Sequence, residues 1–477
     1  MTGERLLAEG HAAYAAGRLA EAEAAFRALA DRMPDDAEAL SNLGAVLNAQ
    51  QRHAEAEAAC RAALSLQPAF WAAWGNLGTA LHAQQRRGEA VAAYAEALRR
   101  NPGHVNACTN LGVALVEQGR LQAALAVHDA AVELAPEDAE VRCNRALALL
   151  AAGDFAHGFA EYEWRWQTPS MLPHGLTGPC WQGDDPAGRT ILVHAEGGLG
   201  DTLQFVRYAP LLAARGARVV LRVQPPLVRL LRRMTGPVAV LSSDDAVPEY
   251  DLHCPMLSLP HRFATTLASV PSQVPYLAVD AAKAQTWQTR LDSNGLRVGL
   301  VWAGASRPGM AAAHAMNARR SMPAAALAPL AGIAGVRFVS LQQHQAPPWP
   351  GMANPMPDCT DFDDTAAVVA GLDLVISVDT SVAHLAGGLG RPVWLLSRYD
   401  QCWRWLHGRR DSPWYPGMRL YRQPEPGDWG TVLRAVADDL RALAEAGALP
   451  IGPLRGPIPA ETLPLHPTKG FALGTLT

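Results

Sequence analysis

The chain has 477 residues, 49% of them hydrophobic, and a formal net charge of −4; this is length enough for several domains with sizeable cores, without the basic excess that binds nucleic acid. Seven cysteines, at 60, 108, 143, 180, 254, 359 and 402, include no Cys-x-x-Cys pair and are odd in number, which argues against a zinc motif or a disulfide framework and suits a reducing cytoplasm. No cationic stretch with a long apolar core follows the first residue, and no run of about 18 or more apolar residues occurs, so neither export nor a membrane span is expected.

Four prolines, Pro34, Pro68, Pro102 and Pro136, recur every 34 residues, and Gly10, Gly44, Gly78 and Gly112 keep the same interval. A strict period of this length marks stacked helical hairpins, each too small to fold alone. A Leu-Gly pair in the first helix (Leu43-Gly44, Leu77-Gly78, Leu111-Gly112) is expected to let the second helix, carrying Ala56, Ala90 or Ala124, approach closely. Gly17, Gly119 and Gly153 mark the turn between helices, where a positive φ is wanted. Phe26, Cys60, Tyr94 and His128 are expected as knobs between adjacent hairpins. The proline then stops the second helix, because it lacks the N–H that would continue the ladder. These features resemble the tetratricopeptide repeat over residues 3–138 in four copies, with a degraded fifth copy extending the solenoid to 166 (3–166 in all). That fifth copy keeps Gly153, Phe159 and Tyr162 but carries Trp164, Arg165 and Trp166 where small residues are usual, as a terminal repeat packed on something else would. The resemblance implies a groove for an extended or helical segment of a protein partner.

Residues 167–188 are rich in Pro and Gly and read as a linker. Strands and helices then alternate. Residues 191–194 (ILVH) read as a buried strand, 202–216 as an amphipathic helix, and 218–223 and 238–241 as further strands, within a first lobe at 189–290. A second lobe at 291–449 repeats this grammar, with strands at 298–302, 336–341, 374–378 and 392–396 and helices near 323–332, 364–371, 380–389 and 431–446. The expected fold is thus an α-solenoid followed by an α/β region of two Rossmann-like lobes with parallel sheets. Paired lobes of this kind commonly enclose a ligand between them. Residues 450–477 are proline-rich and are expected to cross back over the surface or stay disordered.

Two loops carry chemistry. Gly197-Gly198-Leu199-Gly200-Asp201 turns a strand into a helix, and its glycines let backbone N–H groups face an anion at the helix N-terminus. A dinucleotide fingerprint is unlikely, because Leu203 stands where the third glycine belongs and Arg222-Val223 end the next strand without an acidic residue for a ribose. No Gly-Lys-Ser/Thr follows, which excludes a P-loop. The second strand-to-helix turn runs through Asp379, Thr380 and Ser381, with hydroxyls placed to cap orphan N–H groups or meet a phosphate, and His384 lies one turn further. A plain N-cap with a packed histidine is the bland alternative; the position at the carboxyl end of a strand favours the functional one.

Gly200-Asp201 followed by Pro210, with Ser377-Val378-Asp379-Thr380-Ser381-x-x-His384-Leu385, VGLVWAG, Arg320-Ser321-x-Pro323 and DSPWYP, resembles the ADP-heptose-type, family 9-like glycosyltransferases of two-lobed GT-B fold across nearly all of 190–440. Joined to helical repeats, this is similar to protein O-GlcNAc transferases and to bacterial repeat-containing glycosyltransferases that modify flagellin. The resemblance implies that Asp201 is the general base for an attacking hydroxyl, with an N-cap carboxylate as the rival role. It implies that Asp379, Thr380, Ser381 and His384 hold the nucleotide's ribose and phosphates, and that Arg320, or its neighbour Arg319, faces the leaving phosphate. Gly198, Gly200 and Trp302 are expected on the donor side, with Gln342 and Gln343 near the base. The nucleotide-sugar is a co-substrate, and neither cofactor nor metal is implied. Asp361-Phe-Asp363 has the form of a pair that holds a divalent cation in one-lobed transferases, but it precedes a helix expected over 365–371, and capping by Asp363 or Asp364 is the favoured reading. Trp403, Trp405, Trp414 and Trp429 read as a sugar platform or, more commonly for such clusters, as aromatic packing. Two departures from the family put donor preference in question: residues 305–314 replace the usual Asn-Pro-x-His, and Cys402 stands where an Asp often precedes Trp403-Arg404-Trp405. The expected function is sugar transfer to a Ser/Thr hydroxyl of a protein recruited by the repeats, flagellin being the first candidate; the alternative is an adaptor with a remnant transferase domain.

Overall fold

The 34-residue period folds as antiparallel helix pairs. A computed structural model describes residues 2–291, 294–305 and 311–446; part of the departing 305–314 segment and the whole 450–477 tail lie outside them. The described residues form two compact units, one of 2–152 with Glu161–Met171, the other of Gly153–Ala160 with 172–446.

The first unit is built from α1 (Gly3–Ala15), α2 (Leu19–Arg32), α3 (Ala37–Ala49), α4 (His53–Leu66), α5 (Trp71–Ala83), α6 (Arg87–Arg100), α7 (Val105–Glu117), α8 (Leu121–Leu134) and α9 (Ala139–Ala151). Each periodic glycine faces the large side chain of its own hairpin. A Cβ on Gly78 would stand 2.6 Å from the Tyr94 ring, and one on Gly44 2.5 Å from Cys60 Sγ. The residues expected as knobs between hairpins also close their own hairpins, each against the glycine opposite, and Phe26, Cys60 and Tyr94 share core clusters with residues of the next hairpin. The inter-helix turns sit at φ +72°, +73° and +85° for Gly17, Gly119 and Gly153, and Gln51 and Gln85 adopt the same region at the equivalent positions of the other two repeats. Asp36 and Asp138 cap α3 and α9 by accepting from the N–H groups of Glu38 and Ala39 and of Glu140 and Val141. Past α9, Glu161 is almost buried and accepts from Arg145 at 2.9 Å, while the Arg142 guanidinium lies 4.4 Å over Trp164.

One knob is chemically mismatched. His128 is fully buried, neither ring nitrogen has a hydrogen-bond partner among the described residues, and burial, helped by the charge of Arg145, pulls its pKa down to about 4. A folded value below the unfolded value of about 6.5 means that the neutral ring's contribution is present above pH ~6.5 and is lost as pH falls through about 4. Phe26 and Tyr94 fill the same position opposite Gly10 and Gly78. His128→Phe is therefore expected to stabilise the solenoid by about 1–3 kcal/mol, by removing two unsatisfied polar atoms, and to flatten its acid loss between pH 6.5 and 4, measured as melting temperature against pH.

The second unit opens with α10 (Phe155–Glu161), whose Phe155 and Phe159 pack against Trp403, Trp414 and, for Phe159, Phe205. This explains the two phenylalanines of the degraded repeat. It continues through β1 (Thr190–His194), α11 (Leu199–Phe205), α12 (Tyr208–Ala214), β2 (Arg218–Val223), α13 (Val228–Leu231), β3 (Ala239–Ser242), β4 (Leu252–Pro255), α14 (Leu259–Arg262), α15 (Ala281–Arg290), β5 (Leu296–Val301), α16 (Ala311–Arg320), β6 (Val336–Ser340), α17 (Phe362–Ala370), β7 (Leu374–Val378), α18 (Ser381–Gly388), β8 (Val393–Ser397), β9 (Met418–Arg422) and α19 (Trp429–Ala446). Every pairing between these strands is parallel, in two sheets of order β3-β2-β1-β4 and β6-β5-β7-β8-β9. The expected class, helical repeats followed by an α/β region with parallel sheets, is what the structure shows. The central strands read as unbroken apolar runs because they are covered on both faces; all five residues of β7 are buried.

Three local expectations are corrected. The helix expected over 202–216 is two, because Pro210 has no N–H to offer the preceding turn and the chain breaks at Val206-Arg207. Residues 323–332 form a 3₁₀ turn, Ala324–Leu330, with Pro329 inside it. Strands β4 and β9 were not foreseen.

Candidate functional site

In each sheet the chain adds strands on one side, then reverses to the other. The reversal falls between β1 and β4 in the first sheet and between β5 and β7 in the second. Carboxyl ends of strands at such a switch point leave a crevice with no crossover above it. The segments after β1, β5 and β7 carry most of the expected site residues, and Gln342 follows β6 at the edge of the second sheet.

After β1, Gly197 takes φ +73°, and a Cβ there would stand 2.7 Å from Asp201 Oδ2, so only glycine fits. That oxygen accepts from the Gly198 N–H at 2.8 Å, which caps α11. Asp201 Oδ1 accepts from Arg404 Nη2 at 2.5 Å, and the carboxylate side chain keeps 27% of its exposure. Arg404 also donates to Gln204 Oε1 at 2.7 Å and to Cys402 Sγ at 3.2 Å. Burial works against its charge, and Cys402 and Asp201 outweigh that, so its pKa rises above the ordinary guanidinium value. Cys402 is thus a partner of the arginine that engages Asp201.

After β7, Thr380 occupies the N-cap position of α18, yet its hydroxyl lies 3.1 Å from Ser377 Oγ and makes no cap bond. His384 is buried, its Nδ1 is 2.9 Å from the Tyr415 hydroxyl, and its ring stacks on Trp405 at 5.4 Å. Burial, with Arg404 next, pulls its pKa down to about 3, so the ring is neutral near pH 7 and supplies no positive charge. A Cβ on Gly200 would meet His384 Cδ2 at 3.0 Å and the Ser381 Cα at 3.6 Å. The loops of the two sheets therefore touch: Gly200 and Asp201 from the first, Ser381 and His384 from the second, with Arg404 between.

Arg320, at the end of α16, donates from Nη1 to the Asp379 carbonyl at 2.9 Å, whereas Arg319 pairs with Asp400 at 2.9 Å. Of the two cations considered, Arg320 reaches the end of β7. Trp302 and Gln342 form a separate knot, since Gln342 Oε1 accepts from the N–H groups of Trp302 (3.1 Å) and Ala303 (2.9 Å), and Trp302 Nε1 donates to Gln345 Oε1 at 2.8 Å. Trp405 and Trp414 are fully buried and Trp429 nearly so, which makes these three packing residues.

Asp361, not Asp363 or Asp364, caps α17, accepting from the N–H groups of Asp363 and Asp364. Asp363 is fully buried and meets Arg233 and Lys283 at 2.9 Å each and Arg229 at 3.3 Å. Because α13 carries or adjoins Arg229 and Arg233, this cluster ties the first sheet's helices to those of the second.

Sequence reasoning missed Arg404, Tyr415 and Arg207. Arg207 is buried, donates to the Trp414 carbonyl at 2.7 Å and to the Tyr276 hydroxyl at 3.0 Å, and sits 4.6 Å over the Tyr415 ring. The motif DSPWYP was the available signal, since it contains two of these partners.

On the solenoid, Asn48, Asn76, Asn106 and Asn110 line a cleft of about 290 Å³ with Tyr14 and His104. Asn48 donates to the Asn76 carbonyl at 2.9 Å and Asn76 to the Ser41 carbonyl at 3.1 Å, which orients their amides along the row.

Residues 7–69, 61–105, 75–139 and 109–163 match the tetratricopeptide repeat, so this part of the chain is a tetratricopeptide-repeat solenoid. Over 328 residues the chain is 29% identical to Protein FlbA of Caulobacter vibrioides, covering 62% of this chain and 54% of that protein. The chain thus spans about half the length of this curated relative. Among solved structures, a thermophilic tetratricopeptide-repeat protein of Thermus thermophilus matches at 22% identity over 35% of this chain and 93% of its own, with a TM-score of 0.33. PilF of Pseudomonas aeruginosa matches at 19% identity over 36% of this chain and 78% of its own, also at 0.33. Among the described residues no helix is long and apolar enough to cross a membrane.

Proposed function

We propose that this protein is a cytoplasmic glycosyltransferase of GT-B type that moves a sugar from a nucleotide-sugar to a Ser/Thr hydroxyl of a protein held by the repeats. The observation that carries the reading is the meeting of the two switch-point loops, with Gly200 against His384 and Asp201 against Arg404. In this scheme the acceptor oxygen attacks the anomeric carbon, Asp201 takes its proton, and the nucleoside diphosphate leaves. The N–H groups opening α18 and the Arg320 guanidinium favour the charge gathering on that leaving group. Gly198, Gly200, Asp379, Thr380 and Ser381 line the donor, and His384 packs behind them as a neutral ring. Trp302 and Gln342 support the donor side by fixing the loop after β5. The asparagine-lined cleft of the solenoid supplies amides for an extended peptide, and flagellin is the first acceptor to try.

Calorimetric titration of the full chain with a panel of nucleotides and nucleotide-sugars tests the donor side. One nucleotide class binds, and Thr380→Val weakens it roughly tenfold, the worth of one hydrogen bond to a charged group. Absence of binding by every member, alongside binding of a protein partner, would leave the adaptor reading. One observation favours that second reading: both oxygens of Asp201 are already engaged, by the Gly198 N–H and by Arg404, and a base must exchange one of these for the acceptor hydroxyl.

A further inference from the structure

A three-histidine cluster lies on the first sheet, on residues that the transferase reading does not use. His194 ends β1, His253 lies in β4, and His174 comes from the segment that precedes β1. Their ring centroids are 4.9, 4.8 and 5.5 Å apart, and one ring nitrogen from each lies within 4.8 Å of the others. His194 and His253 share a face, because the register pairs Leu192 with His253 and side chains alternate with period two.

The preceding segment is built onto that sheet. Trp181 donates its N–H to the His253 carbonyl at 2.8 Å, the His253 N–H donates to the Pro179 carbonyl at 3.1 Å, and the Tyr250 hydroxyl donates to the Thr177 carbonyl. His174 is held above the face by these bonds.

His253 offers a buried ring nitrogen to the cluster. His253 is only 5% exposed, and its Nδ1 has no hydrogen-bond partner among the described residues. Its ring also bonds to the Gly178 backbone. A buried ring nitrogen without a partner, on a ring held by a backbone bond, is the arrangement in which an outer hydrogen bond orients a metal-bound imidazole. His174 Nδ1 accepts from the Leu176 N–H at 3.1 Å, a bond that loading exchanges or shifts to the other tautomer. The group contains histidine alone. Three imidazoles suit zinc and its borderline neighbours, and the nitrogen separations need to contract only to about 3.3 Å for tetrahedral bonds of about 2.0–2.1 Å.

We propose that His174, His194 and His253 bind a zinc-class divalent cation that pins the segment around 172–181 to the face of the first sheet, independently of sugar transfer. The test titrates Zn²⁺ alone into chelator-treated, tag-free full chain by competition calorimetry, and into His174→Ala and His253→Gln. His174→Ala removes a half-buried side chain outside the core, so it remains informative if His253→Gln fails to fold. The wild type binds one equivalent and melts at a higher temperature with zinc. The His174→Ala chain binds at least about 100-fold more weakly and shows no such rise, and cobalt gives the wild type alone the visible spectrum of a tetrahedral nitrogen site. Absence of a bound equivalent in the wild type, or equal affinity in His174→Ala, overturns the proposal; equal affinity would assign the metal to other ligands, such as cysteine thiolates.

Discussion

Asp201→Asn slows sugar transfer by about 10³-fold, within the range that a positioned general base supplies, while nucleotide affinity stays within about threefold, because the donor is held by other residues. Asparagine is more informative than alanine here. Its carbonyl still accepts from Arg404, so the buried guanidinium is not stranded, as it would be in Asp201→Ala. Its amide group faces the Gly198 N–H, donor against donor, so the α11 cap weakens and the melting temperature falls by the equivalent of about 1–2 kcal/mol. The measurement pairs single-turnover transfer with donor titration and thermal melting. Transfer that survives within about tenfold while stability drops would reduce Asp201 to a cap and a counter-ion.

Asp363→Asn has the largest expected effect on stability. The carboxylate is fully buried and holds three cations, two of them at 2.9 Å. Losing the charge partner costs about 2–3 kcal/mol, the worth of hydrogen bonds to a charged group, and no more because Arg229, Arg233 and Lys283 keep 47%, 36% and 31% of their exposure; it is read as a lower melting temperature of the α/β unit with the solenoid's transition unmoved. Burial works against the ionised forms of Asp363 and Asp364; Arg233 and Lys283 for the first, and Lys283 and Thr360 for the second, outweigh it, placing Asp364 at about 2. Carboxylates depressed in the folded state stabilise it fully above the unfolded value of about 3.9 and lose that contribution as pH falls through the folded value. The wild type therefore loses stability between pH ~4 and about 2, and the variant, already lacking one of these groups, has the shallower profile. A variant as stable as the wild type at pH 7 would mean that the cluster is screened as surface charges are.

The solenoid was legible because a period repeats its own signal: one misread residue is outvoted by its equivalents, and the turn geometry at Gly17, Gly119 and Gly153 followed from residue type alone. The same period is silent on direction. It marks Tyr94 as large and Gly78 as small, and only coordinates reveal that each fills the other's space within one hairpin. Strand β4 (LHCP) was missed because it is four residues long and carries a histidine and a terminal proline, and β9 (MRLYR) because two arginines interrupt its apolar positions, one of them paired with Asp439. The two loops of the site were legible from their glycines and hydroxyls. Their closure was not, since Asp201 and Arg404 are 203 residues apart and no local pattern links them. The histidine cluster is hidden for the same reason, its members belonging to two strands and an irregular segment.

Sugar transfer to protein leaves a mass on the acceptor, which intact-mass analysis reads. Flagellin is purified from cells that carry the wild-type chain, the Asp201→Asn chain or neither. A mass increase by whole sugar units, present with the wild type alone, is the predicted result. Identical masses in all three, with partner proteins still captured by the repeats, would contradict the transferase and leave an adaptor.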